Sequence, residues 1–320
     1  MDVAMTSAEL ASDAEMTSEE AFMFIREALG VASCKDKMAS DPVALLNEVL
    51  YSWQENIPYQ TVVSIATPKK DRHLPTLLEI KNDIMAKLGG TCYHNNIGCY
   101  MVIKALGYQV TLVPADVIRA SSDHVAIIIF NLSGAGSQHM ADVGAGGWPT
   151  FQLIPLDFDR ESPEYHKSFL RYKFVRQDDR ILRLHNAESD PVGANYFKAT
   201  LKDGWYTYAS IHYNMPVEVS YFDEIMEILH TQVQDDMILL RKIRCVTYPK
   251  GRFVSIFNAT LLEEQENGCI KKTYLKSHDE IIAVFKRYFP QFDESVIHAA
   301  MDDELVKLDF DREEIVLACL

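Results

Sequence analysis

Leu88-Gly-Gly-Thr-Cys-Tyr-His-Asn-Asn-Ile-Gly-Cys-Tyr-Met-Val-Ile-Lys-Ala-Leu-Gly-Tyr108 is the stretch on which the fold turns. Two glycines precede a cysteine. After it, Tyr93, Ile97, Tyr100, Met101 and Ala105 recur at three- and four-residue spacing, the apolar stripe of a helix that packs against a core. Gly107 stands where a C-cap belongs. Cys92 therefore falls in the first turn, where unpaired N–H groups and the helix dipole favour a thiolate. Gly89 and Gly90 let backbone or a substrate carbonyl come close to the sulfur. On the residues alone two readings stay open: a nucleophile, or one more buried thiol, which is the ordinary fate of a free cysteine. Cys99, seven residues on and on the same face, keeps the core reading.

Upstream the pattern is helical. Ala21, Phe22, Phe24, Ile25 and Leu29 form one apolar stripe, closed by Gly30, and Asp41-Pro42 opens a second helix that Pro58 breaks. Downstream the period changes. Val110–Val113, Val125–Phe130, His139–Val143, Tyr172–Val175, Tyr196–Thr200 and Trp205–Tyr208 read as short strands separated by Gly, Ser, Asp and Pro clusters. The last third is mixed: a helix from Tyr221 to His230, strands at Leu239–Thr247 and Phe253–Leu261 about a turn at Pro249–Gly251, and a final helix Asp279–Tyr288. Helices first, then strands, then a mixed segment predict an α+β fold, not a doubly wound sheet. The expected units are 1–108, helical and carrying the cysteine; 109–215, an antiparallel β-barrel; and 216–320, α/β.

The charge sum, 31 − 46 = −15, gives no global attraction for nucleic acid or an anionic membrane, so an anionic ligand must be met by local groups. No apolar run approaches the ~20 residues of a membrane span, and the first residues lack the basic and apolar regions of a signal peptide. Cysteines 34, 92, 99, 245, 269 and 319 show neither CxxC nor zinc-ligand spacing, which predicts reduced thiols, a cytoplasmic protein and no metal.

A cysteine nucleophile needs a base, and the base needs an orienting group. His94, two residues along the helix from Cys92, points to roughly the opposite side. His124 opens the strand that ends at Phe130, and the Asn131–Ser137 loop leads to a return strand carrying Asp142. A turn centred near Gly134 sets residue 126 opposite 142. His124 and Asp142 then share a face as diagonal neighbours ~7–8 Å apart, while Asp123 and His139 fall on the other face. Shared parity alone leaves open a solvated histidine beside an ordinary strand aspartate.

These segments resemble the arylamine N-acetyltransferase family. Gly89-Gly90-Thr91-Cys92 is similar to its Arg-Gly-Gly-Phe-Cys segment, His124 follows about thirty residues later, and Ala141-Asp142-Val143-Gly144-Ala145-Gly146-Gly147 with Pro149 resembles its Asp-Val-Gly-Phe-Gly segment. Asn56–Gln60, Lys104–Leu112 and Thr247–Arg252 resemble further family segments, so the likeness runs from about residue 20 to 290. It implies a helical bundle, a β-barrel and an α/β lid around a cysteine-protease- or transglutaminase-like core, with Cys92 as nucleophile, His124 as base and Asp142 as carboxylate. It implies ping-pong transfer of an acyl group from acetyl-CoA or another acyl-CoA to an arylamine-type acceptor.

Several positions depart from that pattern. Leu88 replaces an Arg, Thr91 a Phe, His94 a Glu and Ala145 a Phe beside the acceptor pocket, while Gln234-Asp235-Asp236 stands where small hydroxyl residues approach the cofactor. CoA phosphates would have to be met by amides near Gly144 and Gly146, hydroxyls of Ser121 and Ser122, and basic side chains such as Lys104 or Arg119. Two other functions fit the same triad: amide synthesis from a non-CoA donor in natural-product assembly, and a thiol hydrolase or transglutaminase-like reaction.

Overall fold

The apolar stripe after Asp41-Pro42 forms the helix Pro42–Asn56, whose N-terminus is capped by the Asp41 carboxylate accepting from Ala44 N–H at 2.9 Å. That cap and the proline at the first turn are what start it. A computed structural model describes residues 15–117, 121–232 and 239–311. Further helices are Ser18–Met23, which continues as a wider turn over Phe24–Ala28, then Cys34–Ser40, Val62–Ala66, Leu77–Met85 and Cys92–Ala105. The Cys92–Ala105 helix is buried on nearly every side, so the expected one-sided stripe is a central helix enclosed by its neighbours.

The strands are β1 (Tyr59–Gln60), β2 (Val110–Asp116), β3 (His124–Phe130), β4 (Gln138–Ala141), β5 (Ile154–Pro155), β6 (Tyr165–Lys167), β7 (Leu170–Gln177), β8 (Arg180–Asn186), β9 (Trp205–Ile211), β10 (Arg244–Thr247), β11 (Val254–Phe257), β12 (Thr260–Glu264) and β13 (Ile270–Tyr274). One antiparallel sheet has the order β5-β4-β3-β2-β9-β8-β7-β6, and the other β1-β10-β11-β12-β13. The fold is mixed α+β, with a helical N-terminal region and curled antiparallel sheets. The larger sheet is open at β5 and β6, so the expected closed barrel is a half-barrel.

Side-chain alternation along β3 divides two cores. Val125, Ile127 and Ile129 pack with Trp53, Ile97 and Val102 of the helices. Ala126 and Ile128 pack with Met140, Tyr172 and Tyr208 on the other side of the sheet. Ile127 pairs with Ala141, a register that sets 126 opposite 142.

Three expectations are corrected. Tyr196–Thr200 is no strand: Pro191–Tyr196 is a helix capped by Asp190, whose carboxylate accepts from Gly193 N–H at 2.9 Å, followed by a tight turn at Lys198–Thr200. The aromatic run suggested a strand, but the Asp-Pro cap decides the backbone. Asp279–Tyr288 lies within the helix His278–Tyr288, yet it is not final, because Glu294–Met301 forms another helix capped by Asp293. Cys269 is disulfide-bonded, against the expectation of reduced thiols throughout, whereas Cys34, Cys92, Cys99 and Cys245 are free. Among the described residues, no helix is long and apolar enough to cross a membrane and no cluster of side chains could hold a metal ion.

Candidate active site

The loop before Cys92 is held from below by β1. Gly90 forms a parallel bridge with Tyr59, and Gln60 N–H donates to Gly90 O at 2.9 Å. Gly89 has φ +62°, and a Cβ there would lie 2.0 Å from Pro58 O, so a side chain is excluded on both counts. Cys92 then opens its helix, half-buried, with Sγ 3.8 Å from Asp123 O. Thr91, the N-cap residue, makes no side-chain cap. Its hydroxyl lies 3.4 Å from His230 Nε2, which accepts because His230 Nδ1–H donates to Met226 O at 2.7 Å. The first-turn N–H groups beside Cys92 thus lack the usual side-chain acceptor, which suits stabilisation of an oxyanion.

His124 heads β3 and Asp142 follows β4, and the two are buried. His124 Nε2–H donates to Asp142 Oδ2 at 3.0 Å, which leaves Nδ1 for the thiol. Burial works against the imidazolium, but the charge and hydrogen bond of Asp142, followed by those of Cys92, raise His124 well above its ordinary value. Burial also opposes the Asp142 carboxylate. His124, Arg183 and Asn96 outweigh it and hold the group at about 2. The structure therefore brings Cys92, His124 and Asp142 together in one chain of contacts.

Two partners of this chain, and one partner of the neighbouring Thr91, escape notice in the sequence. Asn96, one helical turn after Cys92, donates from Nδ2 to Asp142 Oδ1 at 2.9 Å and to Val125 O at 2.7 Å, and accepts from Val143 N–H. Its signal is an Asn-Asn pair inside an otherwise apolar helix. Arg183, on β8 and almost wholly buried, lies between the Tyr172 and Tyr208 rings at 4.9 and 5.2 Å. Its Nη2 donates to Trp148 O and Pro149 O, and Nη1 stands 3.8 Å from Asp142 Oδ2. His230 is the third, and nothing in its helix marks it.

Gly144 gives its N–H to Asp142 Oδ1 at 3.0 Å, turning inward to the triad. A Cβ there would lie 2.6 Å from Asn96 Nδ2, 2.7 Å from Cys92 O and 2.8 Å from Cys92 Cα. Two of these are backbone atoms that cannot swing aside. Gly144→Ala is expected to cost ~1–3 kcal/mol of stability through overpacking, and a melting curve checks it.

Of the other expected phosphate partners, Ser122 has φ +63° and its Oγ lies 3.2 Å from Tyr221 OH, while Ser121 is exposed. Gly146 O accepts from Tyr248 OH at 2.9 Å. Lys104 is twelve residues along the helix from Cys92, about 18 Å at 1.5 Å per residue, with its Nζ 5.6 Å from the Tyr100 ring. Arg119, Gln234, Asp235 and Asp236 lie outside the described residues. Leu88 packs against the apolar core of the C-terminal region, and Ala145 is buried with Tyr208 Oη 3.4 Å from its carbonyl oxygen.

His94 faces away from Cys92, as its helix position requires. Its ring meets His230 at 5.7 Å, and Nε2 stands 3.7 Å from Asp83 Oδ2. Burial and then His230 hold His94 down to about 3, burial lowers His230, and burial with Glu79 raises Asp83 to about 6. A depressed histidine binds its proton more tightly when unfolded, so the His94 contribution is full above 6.5 and declines as pH falls toward 3. Asp83 works oppositely between about 6 and 3.8. His94→Gln removes the His94 titration, so its urea midpoint is expected to fall less, or rise more, between pH 7 and pH 5 than that of wild type.

A family profile described as N-acetyltransferase matches residues 43–291. The chain belongs to the arylamine N-acetyltransferase family. No curated protein matches it. Arylamine N-acetyltransferase from Mycobacterium marinum is similar in structure, with TM-score 0.69 and 13% identity over 89% of this chain and 99% of that one. The same enzyme in complex with CoA gives 0.68 and 12% over 88% and 98%. The arylamine N-acetyltransferase from Mycobacterium abscessus gives 0.69 and 14% over 94% and 99%. At such identities these structures establish that this family member shares the arylamine N-acetyltransferase fold.

Proposed function

We propose that this family member transfers an acetyl or related acyl group from an acyl-CoA to an arylamine-type acceptor through an acyl-Cys92 intermediate. The observation that carries the reading is the contact chain from Cys92 at its helix start through His124 to Asp142. His124 Nδ1 takes the thiol proton, and Sγ attacks the thioester carbonyl. The first-turn amides receive the oxyanion, and the CoA sulfur leaves with the proton returned by His124. The amine nitrogen then attacks acyl-Cys92 and gives its proton to His124, and Cys92 leaves as thiolate to recover it. Asp142 fixes the tautomer with Nε2 protonated and stabilises the imidazolium.

In this reading the helix of Cys92 against the strands of His124 and Asp142 is a cysteine-protease- or transglutaminase-like core, assembled from 1–108 and 109–215 and covered by 216–320. Ser121, Ser122 and Gly146 are the remaining candidate contacts for CoA. The family membership and the CoA complex of a structural relative support the choice of donor. Intact mass before and after acetyl-CoA, and again after an arylamine, tests the reading. A gain of one acetyl group that the amine removes is expected. Loading only from a thioester without the nucleotide would favour amide synthesis from another donor, and an acyl group lost to water alone would favour a hydrolase.

A further inference from the structure

We infer that Arg244 selects for a reactant that carries a carboxylate, an inference that rests on the acyl-transfer reading above. Arg244 opens β10, which pairs with β1 through Gln60↔Cys245 and Tyr59↔Val246. Because Tyr59 bridges Gly90 on its other side, the strand of Arg244 lies two strand spacings, ~10 Å, from the nucleophile loop. The 144–147 segment makes the same link. A Cβ on Gly144 would strike Cys92, and one on Gly147 would stand 2.9 Å from Arg244 Nη2. Burial dominates the environment of the Tyr59 hydroxyl, and the charges of Arg244 and Cys92 both reach it.

The guanidinium is held by faces, not by partners. Its Cζ stands 5.2 Å from the Tyr59 ring and 5.6 Å from the Trp148 ring. Among the described residues, its N–H groups donate no hydrogen bond and no carboxylate lies within 4.0 Å. Three other arginines are ion-paired, Arg72 with Asp303 at 2.7 Å, Arg171 with Glu164 at 2.9 Å and Arg180 with Asp116 at 3.1 Å, and Arg176 donates to the main-chain carbonyls of Phe158 and Leu156. In a chain of net charge −15, an arginine without a carboxylate next to a reactive centre needs a reason. Aromatic faces fix the guanidinium plane, and among the described residues its edge, the side that binds a carboxylate through two parallel N–H donors, meets no protein acceptor on a half-buried side chain. An aromatic amine with a ring carboxylate, or an acyl chain ending in one, is long enough to join Arg244 to Sγ. Binding replaces water on the guanidinium edge without moving it, so recognition is preorganised.

The test compares wild type with Arg244→Met and Arg244→Lys. Loading of Cys92 by acetyl-CoA and by the short thioester S-acetyl-N-acetylcysteamine is measured first by intact mass. Failure of wild type to load from either one removes the acyl-transfer reading and this inference with it. Transfer is then measured to 4-aminobenzoate against 4-methylaniline, and loading from succinyl-CoA against butyryl-CoA. For Arg244→Met, one of the two carboxylate-to-neutral ratios is expected to fall at least tenfold, with Arg244→Lys between it and wild type. A fall in the acceptor ratio places the carboxylate on the amine, and a fall in the donor ratio places it on the acyl chain. The readout is a ratio, so a general loss of activity leaves it near the wild-type value and counts against the assignment. Both ratios within twofold of wild type in both variants would overturn it. So would a defect confined to the CoA thioesters and absent from the short one, which would put a CoA phosphate on Arg244. Arg244→Lys keeps the charge and the strand, so the comparison stands if the methionine variant does not fold.

Discussion

Cys92→Ala is expected to abolish acyl loading while leaving the melting temperature within a few degrees of wild type. The other free thiols cannot substitute. Cys34, Cys99 and Cys245 are buried, and burial is the first cause pushing each of their thiols up, so little thiolate forms and no donor reaches it. Cys92 is only half-buried, and it touches a buried histidine that is itself oriented by a carboxylate. Removal of the nucleophile in a comparable serine triad costs about 10⁶ in rate. A loss of that order, with iodoacetamide modifying Cys92 before any other free thiol, is the expected pair of results. Full transfer with Cys92 alkylated or replaced would remove the nucleophile assignment and with it the proposed route.

What the residues revealed in advance, and what they hid, divides along contact range. The helix after Cys92 was readable because its signals are local: two glycines, a helix start, an apolar stripe and Gly107. The β3–β4 register was readable because a short glycine-bearing loop fixes which residues face each other, as Ile127 opposite Ala141 bears out. Arg183 was hidden because an arginine in an alternating strand looks like a solvated face residue. Only the distant Tyr172, Tyr208, Trp148 and Asp142 bury and use it. Thr91 was hidden for the same reason. Its position predicts an ordinary cap, yet His230, 139 residues away, takes its hydroxyl instead. The misread strand at Tyr196–Thr200 has another cause. Aromatic and β-branched content favours a strand there, but the Asp190-Pro191 pair, like Asp41-Pro42, starts a helix and decides the backbone.

Asp142→Asn is expected to cut the acylation rate by about 10⁴, the loss recorded for the equivalent change in a serine triad. The wiring of this site says why. Asp142 Oδ1 accepts from Asn96 Nδ2 and Gly144 N–H, and an asparagine carbonyl oxygen can keep both bonds. Its amide NH₂ must then occupy the place of Oδ2 and face His124 Nε2 as a donor. His124 is forced into the tautomer with Nδ1–H, which presents a proton to Cys92 where a lone pair is needed. The substitution also removes the charge opposite Arg183, whose Nη1 and Nε lack hydrogen-bond partners among the described residues. A buried cation without its counter-charge costs ~3–5 kcal/mol, so the variant should melt lower, and rates must be compared below its transition. The pH dependence carries an independent signature. The raised His124 stabilises the fold below its unfolded value of 6.5, and that contribution is lost as pH rises through its folded value. The depressed Asp142 stabilises it above 3.8, and that contribution is lost as pH falls toward 2. In Asp142→Asn both contributions disappear, so stability should vary less at the alkaline end of the range. If the single-turnover rate fell less than tenfold while the pH profile of stability flattened, Asp142 would be a structural counter-charge for Arg183, and His124 would be oriented by something else.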